Sequence, residues 1–192
     1  AELSAEVRAA LATSALRVRD GDGVLCEIWL RKEAPESPQR EQSLGIAYGE
    51  LASGALIGAV KFHRKAGDYR RQSNPPGVYT WRYALLPSDG NHMGVAPNRD
   101  FLMLAPASED KSAKDMDLKA LMELSRKASG TTHPSVWSLT AAAGEHASVP
   151  AIEHEEEENL WVLFVNLPVR AQSGAVKQVL LAIVLVGAAP EA

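Results

Sequence analysis

The sequence predicts a mainly β protein: an antiparallel β-sandwich of about eight strands, with one inserted α-helix near residues 112–128 and a short helix at the N-terminus. Three observations indicate this fold class. Several segments alternate apolar and polar residues with the period of two that is typical of half-buried strands. One long segment has the helical period instead. The predicted strands follow one another without regularly interleaved helices, which argues against a parallel α/β sheet.

The composition is that of a globular protein. Of the 192 residues, 46% are hydrophobic and 23% are charged, close to the average for folded domains. The length fits one domain over residues 1–192. The net charge of −4 argues against nucleic-acid binding. The single cysteine excludes an intramolecular disulfide and a cysteine-cluster zinc site. No apolar run approaches the roughly 20 residues of a transmembrane helix.

The first third of the chain is predicted to contain a short helix, several strands and two loops. Apolar residues share one helical face within residues 2–15. The Asp-Gly-Asp-Gly sequence at 20–23 is typical of a tight turn. The strand that follows at 24–31 directs Cys26 into the core. The other predicted segments here are a loop at 32–43, short strands at about 45–51 and 55–63, and a loop at 64–77.

The clearest strand covers residues 78–85. Tyr79, Trp81 and Tyr83 occupy one face of this strand, and Arg82 lies on the other. We expect the aromatic face to pack into the core, because β-branched and aromatic residues favour a pleated, half-buried surface. The same core position is predicted for the other tryptophans, Trp29, Trp137 and Trp161.

The second half of the chain contains the predicted helix and a terminal hairpin. In the helix over residues 112–128, Ser112 suits the N-cap and Gly130 suits the C′ position. Two strongly apolar segments, 160–167 and 176–186, are predicted to pair as a hairpin. The remaining predicted segments are a polar loop at 86–98, a short strand at 101–105, a strand at 134–140 and an irregular segment at 141–158.

The segment Pro75-Pro76-Gly77-Val78-Tyr79-Thr80 is a turn that enters a strand, and it follows the glycine-containing pair of strands between residues 47 and 62. This arrangement resembles uncharacterised secreted bacterial β-sandwich domains. The resemblance implies a sandwich and export, and it transfers no functional residue. The chain begins at Ala1 without an initiator Met. Signal-peptide cleavage and another trimming of the chain are the two explanations, and the first predicts a periplasmic or secreted location.

The acidic-histidine segment, residues 145–158, is the first candidate site. Imidazole and carboxylate ligands together suit divalent ions such as zinc, copper and manganese. The spacing matches no established metal site, so a solvated acidic loop and an acidic docking surface are the alternatives. The candidate metal ligands are Glu145, His146, Glu153 and His154.

The second candidate site is a basic stretch between residues 61 and 71, in which only Asp68 opposes the positive charge. Such a cluster can hold a small anionic ligand, a phospholipid head group or an acidic protein partner. The alternative is a solvated hairpin end. The candidate binding residues are Lys61, His63, Arg64, Lys65, Tyr69, Arg70 and Arg71.

Other chemistry finds little support in the sequence. His92 and Met93 are residue types that bind copper, but Cys26 lies too far from them in the sequence for a blue-copper site. The sequence contains no nucleophile elbow, no phosphate-binding loop and no His-Glu-x-x-His motif. We therefore assign no catalytic residue.

These observations favour a non-catalytic, extracytoplasmic binding or accessory module whose ligand the sequence does not identify. One alternative is a divalent-metal-binding protein or metalloenzyme that uses the acidic-histidine segment. A second alternative is a structural subunit of a larger assembly, in which the apolar strand at 176–186 lies at an exposed edge and pairs with another chain.

Overall fold

The computed structural model describes residues 2–21, 23–86, 98–142 and 148–187. Two helices are present in these ranges, α1 (Ala5–Ala10) and α2 (Leu118–Ser129). The strands are β1 (Leu16–Asp20), β2 (Gly23–Leu30), β3 (Ala34–Pro35), β4 (Leu56–Phe62), β5 (Ala66–Gly67), β6 (Ser73–Asn74), β7 (Gly77–Leu85), β8 (Asp100–Pro106), β9 (Val136–Thr140), β10 (Ala151–Glu155), β11 (Leu160–Arg170) and β12 (Val176–Val186).

Ten of the strands form one sheet, in the order β1-β2-β4-β7-β8-β9-β12-β11-β10, with β3 added beside β11. Every pairing along this order is antiparallel, and only β3 runs parallel to its neighbour. The small pair β5–β6 stands apart from this sheet. The predicted mainly β, antiparallel fold with two short helices is therefore confirmed. The prediction of a sandwich is too specific, because the continuous sheet curls into a half-barrel.

The main core lies on the inner, concave face of this curled sheet. The predicted alternation in β7 is confirmed there, because Trp81 and Tyr83 are fully buried in the core. Cys26 of β2 and Leu181 of β12 belong to the same cluster, so strands from both ends of the sheet share one core. The predicted hairpin is also confirmed, since β11 pairs with β12 along its length.

The two helices cover parts of the outer face. Val7 and Leu11 of the α1 region pack against Leu56, Ala59 and their neighbours on β2 and β4. Helix α2 packs against β8. It ends at Gly130, as predicted, with the positive φ of 67° that glycine adopts without strain.

Helix α2 begins later than predicted. Its N-cap is Asp117, whose carboxylate accepts the Ala120 N–H at 3.1 Å, and Ser112 lies outside the helix. The reason is tertiary: the carbonyl oxygen of Ser112 accepts a hydrogen bond from the buried guanidinium of Arg82 at 2.5 Å. Residues before the helix are therefore held to the sheet rather than wound into a first turn.

The prediction of a strand at 45–51 is wrong, because no described strand lies between β3 and β4. This segment is held instead by the buried carboxylate of Asp100, which accepts the backbone N–H groups of Ala47 at 2.8 Å and Tyr48 at 3.0 Å. The Tyr83 hydroxyl donates to the same carboxylate at 2.7 Å. Hydrogen bonds to a side chain here replace those that a neighbouring strand would provide.

Three predictions for the C-terminal region are corrected. The segment 141–158 is not wholly irregular, because it contains β10, the last strand of the sheet order. The strand β12 does not lie at an edge, because it pairs with β11 on one side and β9 on the other. Trp161 is not a core residue, since it is 45% exposed beside His154.

Within the described ranges, no helix combines the length and the apolar character needed to span a membrane.

Candidate functional site: an apolar cavity beneath helix α2

A cavity of about 180 Å³ lies between α2 and the outer face of the sheet. Ala84, Phe101 and Met103 form its floor on β7 and β8, and Leu118 and Met122 of α2 form one wall. Protein interiors are close-packed and contain few voids larger than a water molecule, so a cavity of this size is a distinct feature of this fold. Its walls are those of a small-molecule site, which is mostly apolar with a few polar groups.

The second wall is the loop at Tyr69 and Arg70. Asp68 holds this loop, because its buried carboxylate accepts the N–H groups of Arg70 at 2.9 Å and Gln72 at 2.8 Å. The Tyr69 N–H donates to the carbonyl of Val136 at 2.9 Å, which attaches the loop to β9. The Tyr69 ring then lies against Phe101, with 6.3 Å between ring centroids. Burial, and after it the negative charge of Glu158, raises the pKa of the Tyr69 hydroxyl.

The end of α2 positions the remaining polar groups at the cavity. The Ser125 hydroxyl donates to the Ser135 carbonyl at 3.0 Å and accepts the Ser135 N–H at 2.9 Å, which ties the helix to the chain entering β9. The Ser129 hydroxyl donates to the His133 carbonyl at 2.7 Å. These contacts bring Arg126 and His133 to the same cavity as Arg70.

The charge of the lining is one-sided. Arg70, Arg126 and His133 line the cavity, and none of its described lining residues carries a carboxylate. Arg126 also lies in the last turn of α2, where a cation is favoured by the helix dipole. The cavity therefore combines apolar walls with a positively charged rim.

The structure divides the predicted basic site. Tyr69 and Arg70 lie at the α2 cavity, whereas Arg64, Lys65 and Arg71 line a separate depression that includes Trp137. Lys61 lines a third depression, a groove beside α1. The His63 ring lies 3.1 Å from the Glu27 carboxylate of the neighbouring strand. Arg64 pairs with Asp20. The seven residues therefore do not form one surface.

The described part of the predicted metal site does not converge. Glu153 and His154 are consecutive residues of β10, so their side chains point to opposite faces of the sheet. The His154 ring stacks on Trp161 with 4.5 Å between centroids, and its Nε2 lies 2.9 Å from the Asn159 amide oxygen. Glu145, His146, His92 and Met93 lie outside the described residues. Within the described ranges, no three His, Cys, Asp or Glu side chains have metal-binding geometry.

Cys26 is buried, as the alternation in its strand predicted. Burial raises the pKa of its thiol to about 12. A thiol with so high a pKa holds very little thiolate near neutral pH, and the thiolate is the reactive form. Cys26 is therefore a packing residue rather than a nucleophile.

The chain was compared with protein families, with curated proteins and with solved structures, and no match was found in any of the three comparisons. The resemblance to secreted bacterial β-sandwich domains and the expected export therefore stay predictions.

The sequence predicted only part of this cavity. Tyr69 and Arg70 belonged to the predicted basic site, and Met122 belonged to an apolar helix face. Arg126 and His133 could not be assigned to the same site, because they meet Arg70 only through the packing of α2 on the sheet. The detectable signal was the amphipathic pattern of α2, which showed the side that faces the protein.

Proposed function

We propose that this protein is a non-catalytic binding module for a small amphipathic anion, which it holds in the cavity beneath α2. The observation that carries the proposal is the pairing of an apolar cavity with Arg70, Arg126 and His133 at its rim and no carboxylate among its described lining residues. Arginine is suited to carboxylate and phosphate groups because its planar guanidinium offers two parallel N–H donors.

The size of the cavity limits the ligand. A dry apolar cavity of about 150 Å³ accepts a benzene molecule, and the α2 cavity measures about 180 Å³. The apolar part of the ligand is therefore one ring or a short alkyl chain. Met103 and Met122 in the lining suit a variable apolar shape, because methionine side chains are flexible and polarisable. The anionic group lies at the rim, where the two arginines reach it.

The first test compares octanoate with octanol by calorimetry and by thermal shift. These probes share an alkyl chain and differ in charge, so octanoate should bind at least about tenfold more tightly if a charge-assisted hydrogen bond to arginine contributes. Equal binding of the two probes, or no binding of octanoate at millimolar concentration, would contradict the proposal.

The second test uses variants of the rim with a matched control on the same helix. Arg70→Ala and Arg126→Ala should each weaken octanoate binding by about tenfold. Lys119→Ala, on the exposed side of α2, should leave the affinity unchanged. Binding that falls equally in all three variants would indicate non-specific attraction to positive charge rather than a site.

A further inference from the structure

The two open edges of the sheet carry opposite charges. Strand β1 ends the sheet on one side and β10 ends it on the other, and no further described strand pairs with either. The exposed charged residues of β1 are Arg17, Arg19 and Asp20, of which Asp20 pairs with Arg64, and the exposed carboxylates of β10 are Glu153 and Glu155. An edge strand presents backbone N–H and C=O groups that can pair with another strand.

The alternation along both edges places these charges on the same face of the sheet. In β10, Ile152 pairs with Leu163 of the inner face, so Glu153 and Glu155 belong to the outer face. In β1, Leu16 and Val18 contact the inner core, so Arg17 and Arg19 belong to the outer face. If β1 and β10 were neighbours, arginines would lie beside glutamates on one face, and Leu16 and Val18 would adjoin Ile152 and His154 on the other.

Apolar surface is also exposed at the β10 edge. Ile152 is 40% exposed, and Trp161, which pairs directly with His154, is 45% exposed. Val186, the cross-strand partner of Trp161, is 49% exposed. These residues form a continuous strip on neighbouring strands, and such a strip is typical of an interaction surface.

The start of β1 and the residues just before β10 line the same cleft. Leu16 at the start of β1 lines this cleft together with Val149 and Pro150 just before β10 and Val165 of β11. One molecule can therefore present both edges to a second molecule from one side. A two-fold axis would then place β1 of each copy against β10 of the other, which forms two identical pairings and closes the assembly as a dimer.

We propose that this protein forms a two-fold symmetric dimer in which β1 of each copy adds to β10 of the other. The charges select this arrangement, because pairing β1 with β1 would oppose arginines and pairing β10 with β10 would oppose glutamates. The occupant of each edge is therefore a second copy of this chain. This proposal does not involve the α2 cavity, so its outcome is independent of the proposed function.

Charge exchange between variants provides the test, with sedimentation equilibrium measured from micromolar to submillimolar concentration. The wild-type protein should dimerise, and its dissociation constant should rise with salt. The variants Glu153→Arg/Glu155→Arg and Arg17→Glu/Arg19→Glu should each weaken the dimer by at least about tenfold, because like charges then face each other. An equimolar mixture of the two variants should recover a dimer, because each then offers the edge that the other lacks.

Arg17 also pairs with Glu27 within the molecule at 3.0 Å, so circular dichroism must show that the second variant is folded. Arg19→Glu alone leaves that ion pair in place and serves as the milder form of the variant. A wild-type protein that stays monomeric throughout the concentration range would overturn the proposal. Pairing of β1 with β10 within one molecule would give that result. A dimer that both variants leave unchanged, or a mixture that fails to dimerise, would overturn it equally.

Discussion

Arg82 is fully buried on the outer face of β7, and all five of its guanidinium N–H groups have an acceptor. Nε and Nη2 donate to the Asp110 carboxylate at 2.7 and 2.8 Å, and the other donors reach the carbonyl groups of Gly54, Ser112 and Lys114. The Thr80 hydroxyl donates to the same carboxylate at 2.5 Å. One side chain therefore fixes the whole segment that precedes α2.

Replacing Arg82 with methionine should lower the free energy of unfolding by about 3–5 kcal/mol, because the buried Asp110 carboxylate loses its partner. For a chain of this size, that corresponds to a fall in Tm of roughly 6–20 °C. The double variant Arg82→Met/Asp110→Leu should recover part of the loss, since it removes the uncompensated charge. Arg8→Met, at an exposed position of α1, is the control. A loss in Arg82→Met no larger than in Arg8→Met would show that the network contributes nothing.

At the scale of elements, α1 depends on its contacts with the segment that Arg82 holds. A helix of six residues is too short to be stable alone. The Glu6 carboxylate accepts the Ala113 N–H at 2.8 Å and the Ser112 hydroxyl at 3.0 Å, and the Ser4 hydroxyl donates to the Lys111 carbonyl at 2.7 Å. The hydrogen bond from the Ala113 N–H lowers the pKa of Glu6 most, and the hydrogen bond from the Ser112 hydroxyl lowers it further.

The lowered pKa gives the contribution of Glu6 to stability a definite dependence on pH. Because the pKa is lower in the folded state than in the unfolded state, the contribution is present above the unfolded value of about 4.3 and is lost as the pH falls through the folded value. The difference in Tm between the wild type and Glu6→Ala should therefore be constant near neutral pH and shrink below about pH 4. Glu123→Ala, on the exposed side of α2, is the reference, and an identical pH profile in both variants would refute the assignment.

The elements that the sequence predicted correctly are those whose burial pattern is local. The alternation in β7 and the apolar strands of the β11–β12 hairpin report directly which face is buried. The elements that it missed depend on a distant partner. The conformation of residues 45–51 depends on hydrogen bonds to the buried carboxylate of Asp100, and the start of α2 depends on a hydrogen bond from Arg82. Strand β10 was missed because its side chains are mostly exposed, so no apolar alternation marks it.

The same distinction applies to the candidate site. Asp68 forms a local turn that fixes the positions of Tyr69 and Arg70. These two residues are adjacent in the sequence. The packing of α2 on the sheet brings Arg126 to the cavity, and the return of the chain after Gly130 brings His133. No pattern of spacing encodes these tertiary contacts. Residues that share a turn could therefore be predicted together, whereas residues that share only a cavity could not.

At the scale of the whole molecule, a single core joins the two ends of the sheet. Ile28 of β2 and Leu181 of β12 are both fully buried and belong to the same cluster, although several strands lie between them in the sheet order. A core shared in this way favours one cooperative unit over the described residues. A single domain over residues 1–192 stays the prediction from chain length. Loss of packing at either end should therefore destabilise the whole chain.

Ile28→Ala and Leu181→Ala should each lower the free energy of unfolding by about 2–5 kcal/mol, because each leaves a cavity in a packed core. Both variants should unfold in one transition, with the same midpoint by far-UV circular dichroism and by tryptophan fluorescence, since Trp81 and Trp137 lie in that core. Leu44→Ala, at a position that is 98% exposed, should leave the midpoint unchanged. Two separate transitions, with Ile28→Ala shifting one and Leu181→Ala shifting the other, would divide the chain into independent domains and contradict the shared core.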